Sequence, residues 1–443
     1  MGTTRPRTGR TSDLRIERTP ELVHTTRAAD GLDVTLVGLN YLPEPTGIAP
    51  YTTGVARGLA ARGHRVHVVT GMPHYPAWRR DPDYPGVVRH ENDGDVHVTR
   101  VWHPVPSAPL GAGRVGLEAG FALAAGAALT HHRLTRTPTD VVVAVSPALL
   151  SVAAALAHGH TAHAPVGVVV QDVYSRTAVD TTSAGGAALR IAARLEGRLL
   201  RRATGVALAH ERFRPAVTAL GVPADNLTVL PNWTHVTRAD AAAGTAVRTR
   251  HGWDPRTPVV LHAGNMGAKQ HLENVLDTAR LALADGAPHH FVLLGDGARR
   301  RALQALAADL PNVQFIDPVP DADFTAHLAA ADVLLLNELP GLHDMCAPSK
   351  LTSYFAAGRP VLAATHDDSA AAAELDNARA GLRVDPGDPA AALAGLRRLA
   401  ERPDLAGRFA AAGPAYAASR LGAGAAIDAY DHWIRDLGET PWN

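Results

Sequence analysis

Short runs of valine and leucine, each followed by a helix-forming stretch, recur along this chain, stop, and then recur again. In the first series Val34-Thr35-Leu36-Val37-Gly38-Leu39 predicts a buried strand. Residues 49–62 predict a helix stopped by Gly63, and Val66-His67-Val68-Val69 the next strand. A strand–helix–strand unit sets its strands parallel, because the connection has to cross the sheet. The series continues through 96–101, 141–145 and 166–170 to 205–209. After Pro231-Asn232-Trp233 the chain turns polar and rich in alanine and arginine, which reads as a linker. The pattern restarts with Val259-Val260-Leu261-His262, a helix over 272–284, and strands over 291–294, 313–316, 333–336 and 361–364. A chain of 443 residues can build two such units, each with its own core. The expectation is an α/β protein of two doubly wound domains, residues 31–235 and 236–422, facing a central cleft. A closing helix over 423–443 would pack back on the first domain. Ligands of open parallel sheets bind beyond the carboxyl ends of the strands, so the cleft is where chemistry is sought.

Acidic and basic residues balance at 43 each, which leaves no electrostatic footprint for nucleic acid. Cys346 is the only cysteine, so disulfides and thiolate metal clusters are excluded and a reducing, cytoplasmic setting is expected. No stretch has the length and purity of a membrane span, and the start lacks the pattern of a secretion signal. Residues 1–30, rich in threonine and arginine, read as a disordered leader.

Of the 43 basic side chains, two are lysine: Lys269 and Lys350. Both stand in turns of special composition. Gly264-Asn265-Met266-Gly267-Ala268-Lys269 follows a strand and precedes a helix, the arrangement of a phosphate cradle, although the Gly-Lys-Ser/Thr ending of a Walker loop is absent. Pro348-Ser349-Lys350 opens a helix, where outward-facing amides and a full charge favour an anion. A compact ammonium fits a narrow slot beside a phosphate that an arginine fork does not. Two cationic turns in one domain suit a diphosphate, whose charge as a leaving group they would stabilise. Gly295-Asp296-Gly297 also follows a strand, but the third glycine and acidic ribose ligand of a dinucleotide fingerprint are missing.

In the first domain the turn 39–49 carries Glu44 and Gly47, and Gly47 permits close backbone approach to an anion at the helix start. His74, in Pro73-His74-Tyr75-Pro76, and the Gln171-Asp172 pair both sit just past strand ends and are candidates for the cleft. No histidine pair has metal-ligand spacing; His131-His132 and His289-His290 read as surface positions, and Asp321-Ala322-Asp323 as a helix cap.

These motifs, in this order from about residue 34 to 364, resemble the family 4 retaining glycosyltransferases of the GT-B fold. The similarity is greatest to the branch that assembles exopolysaccharides and O-antigens. The resemblance implies two Rossmann-like domains, a nucleotide-sugar donor held mainly by the second, an acceptor held by the first, and no cofactor or metal. Carried over by position, Lys269, Lys350 and Asp172 would be catalytic. Gly47, Gly264, Asn265, Gly267, Gly295, Asp296, Val319 and Ser349 would join both lysines in holding the donor, with residues 316–319 bordering the nucleobase. Glu44, His74 and Tyr75 would contact the acceptor. The family's common pair of glutamates is missing, since Met345 and Ser353 occupy those places, and Asn265 replaces the usual arginine before the conserved lysine. The motif usually seen as Gln-Asp-Leu-Trp-Pro appears as Gln171-Asp172-Val173-Tyr174-Ser175.

Three alternatives stay open from sequence: a nucleotide-sugar epimerase of similar build, a non-catalytic sugar-nucleotide-binding protein, and a glycosyltransferase acting on a small natural product. For a lipid-linked acceptor, the segment 110–136 is a candidate membrane-surface helix. It is apolar through Leu117, Phe121, Leu123 and Leu129 and basic or histidine-bearing at its ends through Arg114, His131, His132, Arg133 and Arg136. The enzyme would then lie on the inner face of the plasma membrane. The competing reading of that segment is a helix packed on the first sheet.

Overall fold

A computed structural model describes residues 31–440, apart from 46, 108–110, 136–137, 176–185, 235, 288 and 342–348. The expected leader, and Met345, Cys346 and Pro348, lie outside the described residues. The first sheet contains β1 (Asp33–Val37), β2 (Arg65–Gly71), β3 (Val88–Asp93), β4 (Val96–Val101), β5 (Val141–Ser146), β6 (Val166–Val170), β7 (Gly205–Leu208) and β8 (Leu227–Val229). Their order across the sheet is β3-β4-β2-β1-β5-β6-β7-β8, parallel except for the β3–β4 hairpin. The second contains β9 (Val259–Ala263), β10 (His290–Leu294), β11 (Val313–Ile316), β12 (Val333–Asn337), β13 (Val361–Ala364) and β14 (Gly381–Val384), ordered β11-β10-β9-β12-β13-β14 and all parallel. In each sheet the order reverses beside its first strand, between β1 and β5 and between β9 and β12. Those are the crevices where an open α/β sheet binds ligands.

Strand alternation sets the layers. Val34 and Leu36 of β1 and Val141, Val143 and Val145 of β5 join one apolar cluster, while Val37, Val142 and Ala144 join the other. Helix α1 (Ala49–Ala60) and the closing helix Ala423–Glu439 cover the first face; α2 (Gly111–Leu134) and α3 (Leu149–Ala162) cover the second. The closing helix is seated by small residues: a Cβ on Gly167 would lie 2.6 Å from the Trp433 ring, and one on Gly205 2.9 Å from Leu437.

Several expectations need correction. The antiparallel strand β3 was not anticipated, because its residues are mostly exposed and polar and show no buried period. The stretch read as linker contains a helix, Ala241–His251, which buries Gly244 and Val247 against the second domain. Within segment 110–136, α2 covers Gly111–Leu134, while Leu110 and Arg136 lie outside the described residues; three of the four named apolar residues, Leu117, Phe121 and Leu129, are buried in the sheet-facing core, and Leu123 remains exposed. His289 is buried, and His132 stacks on His67 at 4.3 Å instead of standing in solvent.

Candidate active site

At the end of β9 the chain turns at Gly264, whose φ of 124° strains any side chain. The neighbouring loop after β10 locks against it: Gly264 N donates to Leu294 O (2.8 Å) and Met266 N to Asp296 O (2.8 Å). A Cβ on Gly295 would sit 2.1 Å from the Gly264 carbonyl oxygen, so the two loops touch backbone to backbone. Asn265 and Gly267 serve this assembly. The Asn265 amide (3.4 Å) and the Gly267 N–H (3.0 Å) both donate to Gln270 Oε1, and neither residue lines the cleft.

Lys269 follows in a short 3-10 turn, Ala268–Gln270, tied to the end of β12. Its carbonyl accepts from Leu339 N (2.8 Å), and Asn337 Nδ2 donates to the carbonyls of Gln270 and His271 (2.9 Å each). Lys350 is the second residue of the helix Ser349–Ala357, and its stem crosses Gly264: a Cβ there would lie 3.0 Å from Lys350 Cε. Directly after β12 comes Glu338, half-buried and accepting a hydrogen bond from the Thr365 hydroxyl. Burial raises its carboxyl pKa above the usual range, while Thr365 and then Lys350 and Lys269 pull it down. Both lysines thus act on one carboxylate at the β9/β12 crevice. Below them, burial and the nearby Lys350 charge push His262 down to about 3, so this imidazole is neutral and the positive charge at the crevice is carried by lysine.

The first domain meets this site across the cleft. Asp172 Oδ2 stands 3.5 Å from Lys269 Nζ, both side chains about a quarter exposed. The segment that carries Asp172 is held at three points. Gln171 Oε1 accepts from Asn232 Nδ2 (2.9 Å), and the fully buried Glu196 accepts from the N–H groups of Tyr174 and Ser175 (2.8 Å each). Next to Asn232, Trp233 packs edge-on against Tyr51 (5.2 Å), whose hydroxyl lies 3.3 Å from that of Thr352 in the second domain. The Pro-Asn-Trp and Gln-Asp motifs are therefore two halves of one internal contact.

The expected acceptor contacts fare differently. Glu44 and His74 are 3% and 4% exposed. Glu44 accepts from the N–H groups of His74 and Tyr75 (2.9 Å each) and from Asn40 Nδ2 (2.7 Å), which joins the 39–49 turn to the 73–76 turn. These two side chains position loops and do not line the cleft. Tyr75 lies between: its ring edge is 3.0 Å from where a Cβ on Gly47 would stand. Burial, together with the Glu44 charge, raises its phenol pKa, and Lys269, Asp172 and Arg114 all act on it.

A cleft opens between the domains. Gly47, Tyr51 and Pro76 form its first-domain wall; Gly264, Gly295, Asp296, Ser349 and Lys350 face them, and Val319, Phe324 and Leu294 give one end an apolar lining. Of the expected donor residues, Gly47, Gly264, Gly295, Asp296, Val319, Ser349 and Lys350 come together here, while Lys269, paired with Asp172, is not among the lining residues. Sequence reasoning missed Glu338 and Glu196. Glu338 alone had a visible signal, its place at the end of an apolar strand.

Comparison with known proteins agrees with this architecture. The family described as "Glycosyl transferase 4-like domain" matches residues 46–233, and "Glycosyl transferases group 1" matches residues 257–402. The colanic acid biosynthesis glycosyl transferase WcaI of Escherichia coli K12 is 29% identical over 337 residues, 74% of this chain and 82% of the relative. Among solved structures, sucrose-phosphate synthase of Thermosynechococcus elongatus superposes with a TM-score of 0.71 at 17% identity, covering 92% of this chain and 99% of the other. HepE of Anabaena, solved with UDP-glucose, superposes at 0.67 with 14% identity, covering 91% and 99%. With both sheets, the cleft and these matches in agreement, the chain belongs to the family 4 glycosyltransferases of the GT-B fold.

Proposed function

We propose that the protein moves a sugar from a nucleoside-diphosphate sugar to an acceptor hydroxyl, with retention of anomeric configuration and without a metal ion. The observation that carries this reading is the convergence of Lys269 and Lys350 at the β9/β12 crevice, beside a glycine-lined cleft with an apolar end. The lysine ammoniums and the first amides of the Ser349 helix would stabilise the leaving diphosphate. The apolar end suits a nucleobase. In this reading Asp172, held across from Lys269, contacts the transferred sugar. The leaving phosphate itself takes the acceptor proton as the new bond forms on the same face.

The biological setting we infer is assembly of a cell-surface polysaccharide or glycoconjugate on a lipid-linked acceptor, as the WcaI relationship suggests. The outward face of α2 supports a membrane-surface encounter. Val115, Leu123 and Leu134 are 54%, 77% and 76% exposed, and the helix ends in exposed His131 and Arg133. No helix among the described residues is long and apolar enough to cross a membrane.

The test is incubation with a panel of nucleotide sugars and a polyprenyl-diphosphate-linked sugar, with the product anomer read by proton NMR. A product of inverted configuration contradicts retention. Activity lost to a chelator and restored by magnesium or manganese contradicts metal independence.

A further inference from the structure

Besides the Asp172–Lys269 pair and the Tyr51–Thr352 contact, the domains meet past the end of β7, where His210 caps a short 3-10 turn, Glu211–Phe213. The Arg212 N–H donates to His210 Nδ1 (3.1 Å), which leaves the imidazole proton on Nε2, 3.3 Å from Glu374 Oε1 of the second domain. Glu374 lies on the helix Ala370–Ala378 and also accepts from the Tyr416 hydroxyl (3.0 Å). The Arg212 side chain donates to the Asp368 carbonyl (2.8 Å), just before that helix. Two first-domain residues therefore hold the turn 365–369 and the helix it opens. On its other side the same turn is bonded to the loop after β12. Thr365 is fully buried and gives its hydroxyl proton to Glu338, so it accepts from the Ser369 hydroxyl (2.7 Å). Ser369 in turn caps the helix, accepting from Ala372 N (3.0 Å), and the Gly341 N–H donates to His366 Nε2 (2.7 Å). Adjacent residues and hydrogen bonds thus join Arg212 in one domain to Glu338 in the other. None of His210, Arg212, Thr365, Ser369 and Glu374 lines the cleft.

We propose that His210 and Arg212 are positioning residues for the donor site, acting through Thr365 on Glu338, so that nucleoside diphosphate affinity is set in part by a domain contact outside the cleft. The inference rests on the transferase reading and deepens it. Glu338 is the carboxylate on which both lysines act. Its bond from Thr365 fixes it in one place, because in this buried group each hydroxyl proton has a single acceptor. With the first-domain grip released, the turn 365–369 is held from one side only. Thr365 can then part from Glu338, and the freed carboxylate turns to the lysines and competes with the diphosphate. The grip is a coupling between domain contact and ligand, of the size that a few hydrogen bonds supply.

The experiment is a calorimetric double-mutant cycle on the full chain, titrated with whichever of UDP, GDP and ADP the wild type binds most tightly. Arg212→Ala should weaken binding by ~5-fold or more with thermal melting unchanged, and His210→Ala should act in the same direction. Arg212→Lys should recover most of the loss, since an ammonium also donates to the Asp368 carbonyl. A merely structural role would not make the effect depend on Glu338. In a Glu338→Gln background Arg212→Ala should have no further effect, and after Thr365→Val, which already weakens binding, it should add nothing. Unchanged affinity in Arg212→Ala, or the same fold loss in the Glu338→Gln background as in the wild type, overturns the inference and leaves the donor site standing. A wild type that binds none of the three diphosphates overturns the donor reading and this inference with it.

Discussion

Asp172 and Lys269, from different domains, stand 3.5 Å apart across the cleft. Both are partly exposed, so the pair is worth about 1 kcal/mol or less, and its consequence is positional. The ammonium that is to meet a diphosphate is held near its working place by a carboxylate that the diphosphate then displaces. Asp172→Asn should lower kcat by ~10-fold or more while nucleoside diphosphate affinity stays equal or improves. Steady-state kinetics with product-inhibition constants check this; a weakened nucleoside diphosphate affinity with normal kcat contradicts it.

Glu338 competes with the donor for the same two lysines. Glu338→Gln keeps an acceptor for the Thr365 hydroxyl and removes the charge. Nucleoside diphosphate should bind the variant several-fold more tightly at pH 7.5. Wild-type affinity should rise as pH falls through the raised Glu338 pKa, and the variant should lose this part of the pH dependence. Equal or weaker binding to Glu338→Gln would show that the carboxylate supports the lysines instead of competing with them.

Buried histidines give the fold a predictable acid limit. Burial holds His103 and His158 at about 4 and His262 at about 3, against an ordinary value of 6.5. Between those values the unfolded chain takes up protons that the folded chain refuses. Stability is therefore fully present above pH 6.5 and is lost as pH falls toward 4. Each imidazole removes about 2 kcal/mol between pH 7 and pH 5. Thermal melts should fall by several degrees over that interval, and a His158→Gln variant should show a shallower decline. A flat profile from pH 7 to 5 contradicts the assignment.

The outward face of α2 predicts retention on vesicles. At low salt the protein should co-sediment with anionic vesicles more than with neutral ones, and Leu123→Glu should reduce this without changing the melting temperature. Equal recovery in the supernatant with both vesicle types removes the membrane reading and leaves the transferase reading intact.

Much of this arrangement was visible in the residue pattern, and the exceptions have physical causes. Strands buried on both faces read as unbroken valine and leucine runs, which is why β1, β5, β6 and β9 stood out. β3 was hidden because an exposed edge hairpin needs no apolar period, and the helix Ala241–His251 because its polar, alanine-rich surface resembles a linker. The lysine turns were legible since glycine and charge at a strand end carry local meaning. Glu196 was not, because it is defined by partners more than twenty residues away in sequence, Tyr174 and Ser175. Glu44 and His74 were singled out for the acceptor from their turns, and what the turns alone did not show is that both side chains are buried and join each other's loops.

The central claim is that Lys269 and Lys350 serve one leaving diphosphate. The most direct test is the rate of nucleoside diphosphate release from a nucleotide sugar in the presence of acceptor, compared among wild type, Lys269→Ala, Lys350→Ala and Lys350→Arg. Turnover should fall by ~100-fold or more in each alanine variant, the scale of losing one group that stabilises developing charge. Lys350→Arg should also be impaired, because a fork does not replace a point charge in the slot over Gly264. Near-normal release in both Lys350 variants would contradict the account.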